Sequence, residues 1–134
     1  MTGARIVNRL LFMKLSDYRK GLLSEHRLQV MVMQHLGLHA VKEAYWFAVP
    51  NAARRSMGLA ARMKKEGMRA GVADICIMLG DGRVVWLELK TAKGKQTSDQ
   101  LEFQKVCEAL GHPYLLAHSL DEAMNGLRAA GVLK

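Results

Sequence analysis

Two carboxylates and a lysine are the side chains of this sequence whose types and spacing could most readily support chemistry. Asp74, Glu88 and Lys90 lie in segments that are otherwise apolar. Burying a carboxylate in such surroundings is costly unless it is paired or bound to a metal ion, and one lysine compensates only one of two acids. Oxygen ligands favour a hard cation, Mg²⁺ or Mn²⁺, over zinc. The alternative is a structural ion pair between Lys90 and one of the acids, and the residues leave both interpretations open.

A glycine-rich turn brings these groups together. The segment Gly80-Asp81-Gly82 joins two mostly apolar runs, residues 72–79 and 83–90, and is a strong hairpin signal. With a three-residue loop, the pairing places the two carboxylates directly opposite each other, with Cβ atoms ~5 Å apart, where like charges repel unless something positive lies between them. The alternation of a strand puts the lysine on the same face. The hairpin therefore predicts three ionisable groups at one end of a largely apolar sheet.

Two predicted helices add one candidate each. Glu25 lies three residues before Leu28 and shares the inward stripe of its helix, and Gln100 likewise shares a stripe with Phe103. Each residue also has a plainer interpretation. An acid in the first helical turn is favoured by the helix dipole, and Gln100 follows Thr97 by three residues and can complete a capping box. Taken singly, these residues leave both alternatives open.

Helical and strand-like patterns alternate along the chain and must position these side chains. Ser24 can cap the first helix and Gly37 is expected to end it, while Ser119 and Glu122 form a capping box for the last helix. A strand–helix–strand unit crosses right-handed and parallel, so the expected fold is α/β, with a mixed sheet flanked by helices on both faces. The predicted elements are helix 24–37, strand 45–49, helix 52–66, strands 72–79 and 83–90, helix 97–110, strand 113–118 and helix 119–131.

Length and charge indicate one domain and an anionic partner. The chain has 134 residues and a formal net charge of +8, which suits a single core and makes nucleic acid the first candidate partner. No apolar run approaches the ~18 residues that cross a bilayer. The first residues contain arginine but lack the serine richness of a transit peptide. We therefore expect a soluble protein in the cytoplasm, without membrane association.

Cysteines and tryptophans are expected to be structural. Cys76 and Cys107 lack the spacing of a zinc site or a redox pair and are predicted to be reduced core residues. Trp46 and Trp86 fall in predicted strands, where packing is expected. Stacking on an unpaired base would require these indole rings to be exposed.

Basic side chains lie on either side of the two acids. Between residues 51 and 71, six arginines and lysines stand against the single acid Glu66, and two lysines lie on a glycine-containing loop after the strands. Such residues contact phosphates without reading sequence. The alternative is an ordinary solvated helix face. The candidate nucleic-acid-binding residues are Asn51, Arg54, Arg55, Arg62, Lys64, Lys65, Arg69, Lys93 and Lys95.

Several short motifs together resemble a known family. Glu25, Val49-Pro50-Asn51, Gly71-Val72-Ala73-Asp74, Leu87-Glu88-Leu89-Lys90 and Gln100 are similar to the VRR-NUC domain, the virus-type replication-repair nuclease branch of the PD-(D/E)xK superfamily. The resemblance covers roughly residues 24–130. It divides the chain into an N-terminal extension, residues 1–23, which we interpret as an arm for dimerisation, and a nuclease domain, residues 24–134. The family usually has proline where Ala73 stands.

The resemblance implies a restriction-endonuclease-like core and a Mg²⁺- or Mn²⁺-dependent phosphodiesterase that acts on DNA. It implies Asp74 and Glu88 as metal ligands and Glu25 as a further ligand, directly or through water. Lys90 would lie beside the attacking water, and Gln100 would hold the lysine, the water or a phosphate oxygen.

By the same analogy, the expected enzyme is a structure-selective homodimer that cuts branched DNA such as four-way junctions, in a bacterial or phage-infected cell. One alternative is a non-catalytic DNA-binding or assembly module that keeps the fold. Another is restriction-like or exonucleolytic cleavage with the same ions. The residues do not determine how many ions bind or which DNA structure is preferred.

Overall fold

A computed structural model describes residues 24–50 and 57–134 of the chain. These residues form four helices and four strands in the predicted order, and most of the element ends lie within three residues of the predicted ones. The elements are α1 (Glu25–His39), β1 (Ala44–Ala48), α2 (Met57–Lys65), β2 (Ile75–Leu79), β3 (Val84–Leu89), α3 (Ser98–Ala109), β4 (Tyr114–Ala117) and α4 (Leu120–Ala129).

Helix α1 begins where its capping residue predicts and continues past its glycine. The Ser24 hydroxyl accepts a hydrogen bond from the backbone N–H of Arg27 (3.2 Å), as an N-cap residue should. The predicted end at Gly37 was wrong, because the helix continues to His39. Glycine in a helix costs only about 1 kcal/mol, and the buried Leu36 together with the bridge between Ala40 and Leu133 holds the last turn in place.

The four strands form one mixed sheet in the order β1-β2-β3-β4. β1 pairs antiparallel with β2, β2 antiparallel with β3, and β3 parallel with β4. The hairpin register is the predicted one, since Ile75 faces Leu87 and Met78 faces Val84. The turn closes with a hydrogen bond from the Leu79 N–H to the Arg83 carbonyl (2.9 Å). The mixed α/β fold is therefore confirmed.

One face of the sheet forms the hydrophobic core with α1 and α4. Strand residues such as Ile77 and Leu87 pack there against Leu28 of α1 and Leu127 of α4, and all four are buried. The opposite face carries Trp86, and α3 covers it there. Phe103 of α3 meets the Trp86 ring edge-on at 5.1 Å between centroids. Helices thus lie on both faces, as predicted.

The described residues of α2 do not join the core. None of them is buried, and its last turn carries Arg62, Lys64 and Lys65. The helix was predicted to begin at residue 52, but residues 51–56 lie outside the described ranges. Cys76 and Cys107 are free and buried, as expected. In the ranges that the structure describes, no helix is long and apolar enough to cross a membrane.

Candidate active site

Asp74 lies at the point where the β2–β3 ladder ends. Its Oδ2 accepts a hydrogen bond from the backbone N–H of Leu89 (2.7 Å), and its own carbonyl accepts one from the N–H of Val49 (2.7 Å). If the antiparallel ladder continued, the Leu89 N–H would bond to the backbone of residue 73. The Asp74 side chain takes that position instead, which explains why β2 begins at Ile75 and not at the predicted residue 72. Asp74 is therefore held on both sides, its carboxylate by Leu89 of β3 and its backbone carbonyl by Val49, which directly follows β1.

Glu88 is a buried carboxylate whose two oxygens have different surroundings. The residue is only 2% exposed. Oε1 accepts a hydrogen bond from Nε2 of Gln100 (3.0 Å) and lies 3.7 Å from Nζ of Lys90. Oε2 is buried and has no hydrogen-bond partner among the described residues. Burial and the nearby charge of Asp74 raise the pKa of Glu88 to about 8.

The ion pair between Lys90 and Glu88 is present, but it leaves the charge of the site unbalanced. Lys90 is 7% exposed and its ammonium faces only one Glu88 oxygen. Burial also raises the pKa of Asp74, while the Leu89 N–H and the Lys90 charge lower it. We call Asp74 and Glu88 the acid pair. One lysine serves both members of the acid pair, which is the imbalance that the sequence indicated.

Glu25 stands at the exposed mouth of the site. It is the first residue of α1 and is exposed. Its negative charge raises the pKa of both Asp74 and Glu88, so it lies within electrostatic reach of the acid pair. The inward position predicted from the helical stripe was wrong as to burial, because the N-terminus of α1 extends beyond the core.

Gln100 forms the predicted capping box and also contacts the acid pair. Its side-chain Oε1 accepts a hydrogen bond from the Thr97 N–H (2.9 Å), and its own N–H donates to Thr97 Oγ1 (3.2 Å). This is the capping box of α3. The amide nitrogen of the same side chain donates to Glu88. Gln100 therefore ties the start of α3 to the acid pair, and its contact is with the glutamate and not with the lysine.

Gly71 allows α3 to approach this closely. Its φ of +83° lies in the left-handed region, and a Cβ at this position would overlap the Asp99 carbonyl and lie 2.7 Å from the Gln100 nitrogen. Only glycine tolerates both conditions. The sequence motif contained Gly71, but its contact with α3 could not be read from the sequence.

A polar network beside Glu88 was not foreseen. Nε2 of Gln96 donates to Oε1 of Gln104 (2.9 Å) and to the hydroxyl of Tyr114 (3.1 Å). Burial and the charge of Glu88 raise the pKa of Tyr114 to about 12. The parallel register of β4, which places Tyr114 beside Trp86, carries no local sequence signal.

The predicted basic residues fall into three groups. Lys93 and Lys95 are exposed on the loop that follows Lys90, and His118 anchors this loop, because its Nε2 lies 3.0 Å from the Gly94 carbonyl and must donate to it. A second group is exposed on or just after α2: Arg62, Lys64, Lys65 and Arg69, with Arg62 paired to Glu66 at 3.1 Å. The third group lies outside the described residues: Asn51, Arg54 and Arg55.

The donors at the acid pair suit a hard divalent cation. Both members are carboxylates, and the buried Oε2 of Glu88 is a ligand atom without a hydrogen bond among the described residues. Over residues 24–50 and 57–134, no three acidic, histidine or cysteine side chains are close enough to form a metal-binding group. Glu25 therefore does not complete a three-carboxylate set in this conformation. Among the described residues, the acid pair supplies the two carboxylates whose surroundings fit such an ion.

Comparisons with known proteins point to one fold. No protein-family model matches the sequence, and no curated protein matches it. Among solved structures, a chain described as a VRR_NUC domain protein superposes with a TM-score of 0.67 at 21% identity, covering 80% of this chain and 87% of that one. A second, described as a VRR_NUC domain, has a TM-score of 0.57 at 16% identity, covering 78% of this chain and 94% of that one. The chain has the fold of a VRR-NUC nuclease domain, which confirms the resemblance at the level of the fold.

Proposed function

We propose that this protein is a divalent-metal-dependent nuclease that hydrolyses phosphodiester bonds of DNA at the acid pair. The observation that carries the proposal is the buried Oε2 of Glu88, which has no hydrogen bond among the described residues and lies in a site with two carboxylates and one lysine. A buried carboxylate in this condition requires a proton or a cation. The VRR-NUC fold favours a catalytic cation over a proton.

Each polar residue of the site has a role in this proposal. Asp74 and Glu88 hold the cation, Mg²⁺ or Mn²⁺, and Glu25 at the mouth adds a ligand directly or through water. When bound, such an ion polarises the scissile phosphate and lowers the pKa of a water molecule. The ammonium of Lys90 orients the attacking water or stabilises charge that develops on the phosphate. Gln100 acts as a positioning residue, because it fixes the orientation of the Glu88 carboxylate.

The substrate contacts follow from the distribution of basic side chains. The loop that carries Lys93 and Lys95 leaves β3 directly after Lys90, so we assign it to phosphates next to the scissile bond. The basic residues on and around α2, with Asn51, Arg54 and Arg55, extend the contact along the backbone. Phosphate contacts of this kind do not read sequence. We therefore propose cleavage that depends on DNA structure.

The finer proposal is a homodimer that cuts branched DNA, including four-way junctions, in the cytoplasm of a bacterial or phage-infected cell. Two sites related by a twofold axis suit paired cuts on such a substrate. Its support in the chain is the apolar segment 6–15 within the proposed arm, residues 1–23. A monomer in light scattering would contradict the dimer and leave the cleavage chemistry untouched.

A second candidate function is a DNA-binding or assembly module without turnover. Its support is that Glu25, Asp74 and Glu88 do not form a ready metal-binding group in the described conformation. It predicts DNA binding that is unaffected by divalent cations and no cleavage at all.

Cleavage of defined substrates separates the two candidates. Linear duplex, flap and four-way junction DNA are incubated with the protein in Mg²⁺, Mn²⁺ or EDTA. We expect cleavage only with a cation, and a loss of at least a hundredfold in Glu88→Gln and Lys90→Ala. Glu43→Gln and Lys42→Ala, which change exposed residues just before β1, serve as matched controls and should cut normally. No cleavage of any substrate by the wild type, or equal cleavage by the site variants, would refute the nuclease proposal.

A further inference from the structure

The face of the sheet that carries Trp86 is only partly covered by α3. On the β3–β4 side, Phe103 packs against the rings of Trp86 and Tyr114. On the β1–β2 side, Tyr45 is 65% exposed and Phe47 is 42% exposed. Their ring centroids are 6.3 Å apart. We call Tyr45 and Phe47 the aromatic platform.

The pairing of the strands places this platform on the same face as the acid pair. Phe47 lies opposite Cys76, and Cys76 lies opposite Trp86, so the side chains of all three point to one side of the sheet. The Val49 N–H bonds to the Asp74 carbonyl, which puts Val49 beside Asp74. Phe47 precedes Val49 by two residues, roughly 7 Å along the strand. The platform therefore adjoins the proposed cleavage site.

The fold places positions 45 and 47 on the outer face of the sheet but does not require aromatic side chains there. Strand alternation sends Trp46 to the core side, where it packs against the buried cluster, and leaves its two aromatic neighbours on the outer side. Exposed aromatic pairs beside a polar site are typical of surfaces that bind a ligand or a macromolecular partner. The tryptophans are packed, as predicted from their place in strands, whereas the phenol and phenyl rings beside Trp46 are accessible.

We propose that the aromatic platform is a binding subsite for an unpaired nucleobase of the substrate DNA. This inference rests on the proposed nuclease function and specifies how the site would recognise DNA structure. Aromatic rings stack on every base, but only a base outside a duplex exposes its face to them. A net charge of +8 and the exposed lysines of the loop after β3 attract the adjoining phosphates. The platform would therefore favour gaps, flaps and branch points over continuous duplex.

A second copy of the chain fits this surface less well. β1 is an edge strand, but a copy that paired at this edge would leave the rings exposed, because side chains stand perpendicular to the sheet. Two copies packed face to face would cover the rings and also close the acid pair off from DNA.

Equilibrium binding in EDTA tests the platform without any cleavage. Fluorescence anisotropy compares a continuous duplex with the same duplex carrying a short single-stranded gap. We expect the wild type to prefer the gapped DNA, and Phe47→Leu and Tyr45→Leu each to weaken gapped binding roughly tenfold with duplex binding unchanged. Phe47→Trp should keep the preference, because it retains a ring. Leu38→Ala, at an exposed apolar position of α1, is the matched control.

These binding measurements separate base stacking from charge attraction, dimerisation and misfolding. The inference is overturned if Phe47→Leu binds gapped DNA like the wild type, if duplex and gapped binding fall together, or if the leucine variants change only the oligomeric state in sedimentation. Equal melting temperatures of Phe47→Leu and the wild type exclude misfolding. If the melting temperatures differ, Phe47→Trp tests whether a ring at this position is enough to keep the preference for gapped DNA. Loss of gap preference in a protein that never cuts DNA would support the platform while refuting the nuclease site.

Discussion

The carboxylate of Glu88 is the residue on which the chemistry of the site depends. One of its oxygens is held by Gln100 and Lys90, whereas the other is buried without a hydrogen bond among the described residues. Such an arrangement is poorly suited to a purely structural ion pair, since an unsatisfied buried acceptor costs about 1–3 kcal/mol. The occupancy of this oxygen by a proton or a cation should therefore affect both stability and activity.

Replacing Glu88 with glutamine should stabilise the metal-free protein. The amide keeps the shape and is neutral at every pH, whereas Glu88 must take up a proton or bury a negative charge when the chain folds. Lys90 keeps Asp74 as a nearby opposite charge. We expect the melting temperature in EDTA to rise by about 4 °C, which corresponds to roughly 1 kcal/mol in a domain of this size. Mg²⁺ or Mn²⁺ should raise the melting temperature of the wild type but not of Glu88→Gln. Equal cation responses of the two proteins in calorimetry would contradict the assignment of Glu88 as a ligand.

The stability of the metal-free protein should fall as the pH rises between about 4.5 and about 8. The folded-state pKa of Glu88 lies near 8, above its ordinary value of 4.5, so the folded state holds a proton that the unfolded state has lost. The stabilisation is complete below pH ~4.5 and is lost as the pH passes through ~8. His35 acts in the opposite direction, because burial lowers its pKa. Melting curves of the wild type and Glu88→Gln across this range isolate the contribution of Glu88, and parallel curves would refute it.

At the scale of secondary-structure elements, the acid pair depends on how α3 is seated. Gln100 reaches Glu88 because the N-terminus of α3 lies against the loop that precedes β2. Gly71 is the residue of that loop which the contact requires. The close approach of the Gly71 backbone to the first turn of α3, and not a side-chain contact, thus determines the position of Gln100.

Gly71→Ala should displace α3 and loosen the site. The new Cβ would overlap the Asp99 backbone, in addition to the strain of a φ of +83°. We expect a loss of about 2–4 kcal/mol in the free energy of unfolding, measured by urea denaturation. Gly67→Ala is the matched control, because Gly67 has a φ of +101° in open space and should cost only about 1–2 kcal/mol. Similar losses in the two variants would show that strain alone, without the contact to α3, explains the effect.

Local signals in the sequence predicted most of the elements, and long-range contacts account for what they missed. The Gly80-Asp81-Gly82 turn determined the hairpin register, and capping residues located three helix starts. The start of β2 was predicted less accurately, because the Asp74 side chain replaces the backbone acceptor that the Leu89 N–H would have in a continued ladder. The Gln96–Tyr114 contact joins two distant segments and has no periodic signature. Gln100 was ambiguous in the sequence because one amide serves both the helix cap and the acid pair.

At the scale of the whole described fold, residues 24–50 and 57–134, the arrangement of the two sheet faces indicates the route that DNA would take under this proposal. The core face is closed by α1 and α4, and α3 closes half of the opposite face. The acid pair and the aromatic platform lie on the same face of the sheet, and the basic loop begins where β3 ends. A backbone held by this loop could place an unpaired nucleotide on the platform with its phosphate near the acid pair.

The basic loop should account for part of the salt dependence of DNA binding. Each phosphate contact contributes about 0.9 to the slope of log K against log salt concentration on duplex DNA. The double variant Lys93→Ala/Lys95→Ala should therefore lower that slope by about 2, with binding measured in EDTA over a salt series. The matched control is Lys42→Ala/Lys134→Ala, which removes the same charge from exposed positions near the far end of α1 and the start of β1. If both double variants change the slope equally, the loop has no local role and only net charge matters. If the loop variant alone changes it, and its gap preference persists, phosphate contact and base recognition reside in separate parts of the same open surface.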